Sequence, residues 1–98
     1  MKFILNFTLT AKESLKKLKK EVGLKKYYKA VVKALKLLSE NQKHPSLQTH
    51  PCYSLIGPKG EKVFEAYAQQ NTPVAYRIFF YYGPHKGEIT IFAIIPHP

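Results

Sequence analysis

The chain has 98 residues, 45% of them hydrophobic and 13% aromatic, with a formal charge of +10. That length supports one core that buries roughly two thirds of the unfolded surface, and the apolar share excludes a disordered chain, so a single domain over residues 1–98 is expected. The charge is uneven, +9 over residues 1–43 and +1 over residues 44–98; such a field favours a polyanionic partner over a lysine face that serves solubility alone.

Cys52 is the only cysteine, which rules out an internal disulfide. The N-terminus lacks the charged head and apolar run of a signal peptide, and no apolar stretch approaches the ~20 residues that cross a bilayer. The expected setting is cytoplasmic, with no membrane.

In chain order, Phe3, Leu5 and Phe7 alternate with neighbours at the period of a strand. Thr10 and Glu13 have capping-box spacing, so a helix is expected to begin there. Ala11, Leu15, Leu18 and Val22 form its apolar stripe, flanked by lysines, and Gly23 is its expected stop. From Leu24 a second amphipathic helix sets Tyr28, Val31, Val32, Leu35 and Leu38 against Lys29, Lys33 and Lys36, and weakens at Ser39 and Asn41. Alone, this lysine-rich hairpin has the character of a membrane-surface peptide. The strand-rich remainder argues for a cover on a sheet instead.

Two His-Pro pairs between His44 and Pro51 predict a loop or edge segment. Tyr53–Ile56, the turn Gly57-Pro58-Lys59-Gly60 and Lys62–Gln69 read as strand, turn, strand, and Gln70–Pro73 as a further turn. Ala75–Tyr82, rich in aromatics, is the expected central strand. Gly83–Gly87 turns, and Glu88–Ile95 forms the last strand. The fold class is therefore α+β: an N-terminal strand, a two-helix hairpin, then an antiparallel β meander with both helices packed on one sheet.

Three segments carry a family resemblance across nearly the whole chain. Ala75-Tyr76-Arg77-Ile78-Phe79-Phe80-Tyr81 is similar to the Tyr-Arg-Leu-Val-Tyr strand of the RelE/ParE toxin superfamily. Phe92-Ala93-Ile94-Ile95-Pro96-His97 is similar to its last strands, which end in a functional basic residue, and His44-Pro45-Ser46-Leu47 resembles the loop before its second strand. The resemblance implies the toxin of a type II toxin-antitoxin system with a cognate antitoxin protein as partner. RelE-like and YoeB-like members cut mRNA in the ribosomal A site, so mRNA and ribosomal RNA become expected partners. ParE-like members act on gyrase without that nuclease constellation, and fold alone does not choose between them. One departure is that Glu65 and Tyr67 stand where the prototype carries basic residues.

Arg77 is the sole arginine beside fifteen lysines and interrupts an apolar, aromatic strand. A guanidinium can grip a phosphate and stabilise charge developing on its oxygens; the alternative is a structural pairing with Glu65 or packing on an aromatic ring. His97 matches the family's terminal basic residue, and its imidazole suits proton transfer to a 5'-oxygen or from a 2'-hydroxyl. Glu65 and Tyr67 share a strand face: the carboxylate suits a general base or a partner for Arg77, and the ring suits stacking on a base, with buried tyrosine the plainer outcome. The resemblance brings His44 and His50 toward the site, so that either is a further acid-base candidate if His97 does not serve.

His44, His50 and Cys52 do not have the spacing of a common zinc site, and His85 reads as surface. No phosphate-binding glycine loop, nucleophile elbow or CxxC pair occurs, and the chain contains no Asp. With three glutamates in the strand-rich half, metal-dependent nuclease chemistry is disfavoured. The expected activity is RNA cleavage without cofactor or metal, through attack of a 2'-hydroxyl on its own phosphate. The alternatives are a gyrase-directed toxin and a non-catalytic basic RNA-binding domain.

Overall fold

The computed structural model describes residues 2–69 and 74–97; the turn expected at Gln70–Pro73 lies outside them. The elements are β1 (Ile4–Phe7), α1 (Leu9–Lys20), a 3₁₀ turn (Val22–Leu24), α2 (Lys25–Glu40), a second 3₁₀ turn (Pro45–Leu47), β2 (His50–Ile56), β3 (Lys62–Tyr67), β4 (Tyr76–Tyr82) and β5 (Glu88–Pro96). The five strands form one sheet in the order β1-β5-β4-β3-β2. β2 to β5 are antiparallel neighbours, as expected, and β1 pairs parallel to β5 with Leu5 opposite Ile89.

Alternation along the strands builds two different faces. Tyr76, Ile78 and Phe80 of β4 point with Ala66 of β3 and Ile89, Ile91 and Ile94 of β5 into a core closed by Ala11 and Leu18 of α1 and Val31, Ala34, Leu35 and Leu38 of α2. Phe80 is fully buried in the central strand, where an aromatic side chain contributes about 1.5–3 kcal/mol by leaving water. The intervening residues Arg77, Phe79 and Tyr81 face away from the helices. The lysines of α1 and α2 are all exposed, so the basic surface and the Arg77 face lie on opposite sides of the sheet. No helix among the described residues is long and apolar enough to cross a membrane.

Both ends of α1 differ from expectation. Its N-cap is Thr8, whose hydroxyl oxygen accepts the Ala11 N–H at 3.2 Å and whose hydroxyl donates to the Phe92 carbonyl at 2.9 Å. The pairing of β4 with β5 runs from Phe79–Ala93 to Phe80–Ile91, skipping Phe92. This bulge turns a carbonyl toward Thr8, and that tertiary contact overrides the local Thr10–Glu13 pattern. At the other end α1 stops at Lys20 because Glu21 is extended, with φ −82° and ψ 125°. Gly23 falls inside the 3₁₀ turn, and Val22 is 91% exposed, so it does not belong to the apolar stripe. On α2, Val32 is likewise exposed, displaced by Ala34, which the narrower stripe buries.

β2 begins at His50, three residues earlier than the sequence predicts, and carries Pro51 without penalty because it is an edge strand. The β2–β3 connection closes through the Gly60 N–H donating to the Gly57 carbonyl at 3.0 Å, and Gly60 takes φ +84°, which a side chain would resist.

Candidate active site

The cross-strand register gathers the predicted residues on the sheet face away from the helices. His50 of β2 lies opposite Glu65 of β3, and Tyr67 of β3 lies opposite Arg77 of β4. Arg77 in turn faces Ile95 of β5. The His97 N–H donates to the Ala75 carbonyl at 2.8 Å, which extends the ladder beyond Ile95 and sets His97 on the same face as Arg77. All five candidates, Arg77, His97, Glu65, Tyr67 and His50, thus share one surface, with His97 toward its far end.

Glu65 is the hub. Its side chain is 7% exposed, against 22% for Arg77 and 43% for His50. One carboxylate oxygen accepts from Arg77 Nη1; the other faces His50 Nε2 at 3.2 Å. A buried carboxylate is costly unless it is paired, and here the Arg77 guanidinium and the His50 imidazole sit above it, nearer to solvent. The Arg77–Glu65 pairing named among the structural alternatives is therefore present, and it leaves the guanidinium part-exposed at the surface.

His50 is held on three sides. Its Nδ1 lies 2.8 Å from the Gln48 carbonyl and its Nε2 faces Glu65. Both neighbours are acceptors, so the ring satisfies both only when each nitrogen carries a proton. Its third contact is the Tyr67 ring, edge-on with centroids 5.6 Å apart. Tyr67 is part-exposed, not fully buried. Gln48 turns its carbonyl toward His50 from a left-handed backbone, φ +46° and ψ 43°; nothing in its residue type signals that role, since glycine and asparagine are the usual occupants.

His44 stays apart from this cluster. Its Nδ1 accepts the Ser46 N–H at 3.2 Å, capping the short Pro45–Leu47 turn. His85 is exposed in the β4–β5 turn, as expected. Among the described residues no three His, Cys or Glu side chains come together as a metal site.

A part-exposed arginine and imidazole seated on one buried carboxylate can bind a phosphodiester and move protons beside it. The cluster sits on a fold shared with solved structures of RelE and YoeB toxins. No protein-family model and no curated protein sequence matches the chain, and the similarity is one of structure. The YoeB dimer from Staphylococcus aureus is similar over 100% of both chains, with a TM-score of 0.68 at 15% identity. The YoeB/ParE toxin from Agrobacterium tumefaciens also covers 100% of both, with a TM-score of 0.68 at 10% identity. A chain of the archaeal RelE–RelB complex from Pyrococcus horikoshii OT3 matches over 98% of this chain and 96% of its own, with a TM-score of 0.66 at 14% identity.

Proposed function

We propose that this chain is the toxin of a toxin-antitoxin pair and cuts mRNA on the ribosome by metal-free transesterification. The 2'-oxygen bonds to the adjacent phosphorus, the bond from phosphorus to the 5'-oxygen breaks, and a cyclic phosphate and a 5'-hydroxyl result. Arg77 holds the phosphate and stabilises its oxygens as charge accumulates. Glu65 fixes the guanidinium and, with His50, takes up or delivers protons beside it. His97 serves the leaving 5'-oxygen from the end of β5, and Tyr67 stacks against a base. The exposed lysines of α1 and α2, on the reverse side, engage ribosomal RNA, and an acidic antitoxin covers the Arg77 face. The observation that carries this reading is the Arg77–Glu65–His50 cluster on an open sheet face of RelE/YoeB-like fold.

A specific observation favours a second reading. Arg77 is already paired with buried Glu65, as an arginine of purely structural use would be, and that suits a gyrase-directed or RNA-binding protein without catalysis. Primer-extension mapping of mRNA ends in a translating extract separates the two. The nuclease reading expects ribosome-dependent cuts that disappear with Arg77→Lys and His97→Ala in folded protein; intact mRNA with the wild type refutes it.

A further inference from the structure

On the helix side of the β2 edge, where the connection from α2 meets the sheet, lies a cleft of about 290 Å³. We propose that it receives a nucleobase of single-stranded RNA, one nucleotide away from the phosphate held at Arg77. This rests on the nuclease reading for its place in the reaction, but the base site stands on its own geometry.

Four features define the occupant. The volume is at the small end of ligand pockets, roughly 300–1,000 Å³ for drug-sized molecules, which suits one nucleoside better than a larger ligand. Its apolar wall includes Phe64 and Tyr82, whose rings meet edge-on with centroids 5.5 Å apart. Tyr82 is 43% exposed, and an exposed aromatic ring is the surface on which unpaired bases stack.

Among the described residues the polar wall has no carboxylate; it is lined by Lys43, His44, Thr49 and His50. His44 accepts the Ser46 N–H on Nδ1, which leaves a neutral ring's proton on Nε2 as a donor. A lysine and two imidazoles complement the carbonyls, ring nitrogens and phosphates of a nucleotide. The Thr49 hydroxyl, moreover, is buried with no hydrogen-bond partner among the described residues, a state that buried polar groups rarely keep without a role.

Finally, His50 belongs to both places: it lines the cleft and faces Glu65 at 3.2 Å. Pro51 pairs with Phe64 as His50 pairs with Glu65, so adjacent residues of the edge strand serve opposite faces. An RNA strand that crosses the start of β2 presents a phosphate to Arg77 on one side and a base to the cleft on the other.

The test titrates the intact chain with each 5'-nucleoside monophosphate, and with ribose 5-phosphate and inorganic phosphate as controls, followed by amide NMR. Saturable shifts at residues 43–50, 64 and 82 that require the base are expected, together with at least about fivefold weaker binding in Tyr82→Leu, the loss of one stacked ring. In the translating extract, the same variant cuts less and loses base preference at its cut sites. Lys43→Ala, at an exposed position, checks the cleft independently of the aromatic packing. Shifts equal for inorganic phosphate and nucleotides, or cut sites unchanged in both variants, overturn the proposal. Base-dependent binding at these residues without any mRNA cleavage supports the cleft and refutes the nuclease reading.

Discussion

Replacing Arg77 with methionine keeps most of the aliphatic stem and removes the charge above Glu65. Breaking a buried ion pair by removing one partner costs about 3–5 kcal/mol. Arg77 is 22% exposed and His50 remains 3.2 Å from the other carboxylate oxygen, so solvent and the imidazole recover part of that, and a loss of about 2–3 kcal/mol is expected. Glu65→Leu alone leaves Arg77 able to reach water and costs about 1–2 kcal/mol. The double variant replaces the pair by apolar groups, which is near neutral for buried pairs, so a double-mutant cycle should return a coupling of about 3–5 kcal/mol, the sum of the two single losses. Urea unfolding followed by circular dichroism reads this directly. At a slope of about 1–1.5 kcal/mol/M for a chain this small, Arg77→Met moves the midpoint down by about 2 M. A coupling under about 0.5 kcal/mol would refute the claim that Glu65 depends on Arg77 for its burial.

Three further outcomes are expected. Thr8→Ala removes the N-cap of α1 and its bond to the Phe92 carbonyl, and should cost about 1–2 kcal/mol in the same unfolding assay, whereas Thr10→Ala should cost less than 0.5 kcal/mol, on the order of an ordinary surface change. Burial, reinforced by Tyr27 and Glu21, raises the Tyr76 phenol above 10. The folded state therefore keeps a proton that the unfolded state releases, so this contribution is complete below about pH 10 and is lost as pH rises through the folded value. Thermal melts from pH 9 to 11 should fall less steeply for Tyr76→Phe than for the wild type. Replacing Lys12, Lys16 and Lys19, all exposed on α1, with alanine should lower the salt slope of RNA binding by about 2, near 0.7 per lost phosphate contact with single strands, measured by fluorescence anisotropy against potassium chloride.

The sheet and hairpin were legible because alternation and the helical repeat are local signals: Tyr76–Tyr82 is the central strand and α2 runs Lys25–Glu40, close to the pattern. What escaped was set by distant partners. Thr8 outcompetes Thr10 because of a carbonyl 84 residues away, and β1 pairs parallel to β5, which periodicity does not express. For the site, Glu65 and Tyr67 could be assigned a common face from spacing alone, but the meeting of Glu65 with His50 depends on β2 starting at His50, inside what reads as a proline-marked loop. The nucleobase cleft could not be found from sequence, since Lys43, Thr49, Phe64 and Tyr82 come from three separate segments.

The place of β5 between β1 and β4 has a consequence for how the protein comes into being. Each new domain emerges from its N-terminus at about 5–20 residues per second, and β1 has no strand to pair with until residues 88–91 arrive. Until then β4 offers its open edge and Arg77 lacks its neighbour Ile95. The pairing of β1 with β5 joins residues more than 80 apart in sequence, the kind of long-range contact that slows folding. A protein of the activity proposed here would thus gain the His97 end of its site only once its fifth strand has been delivered.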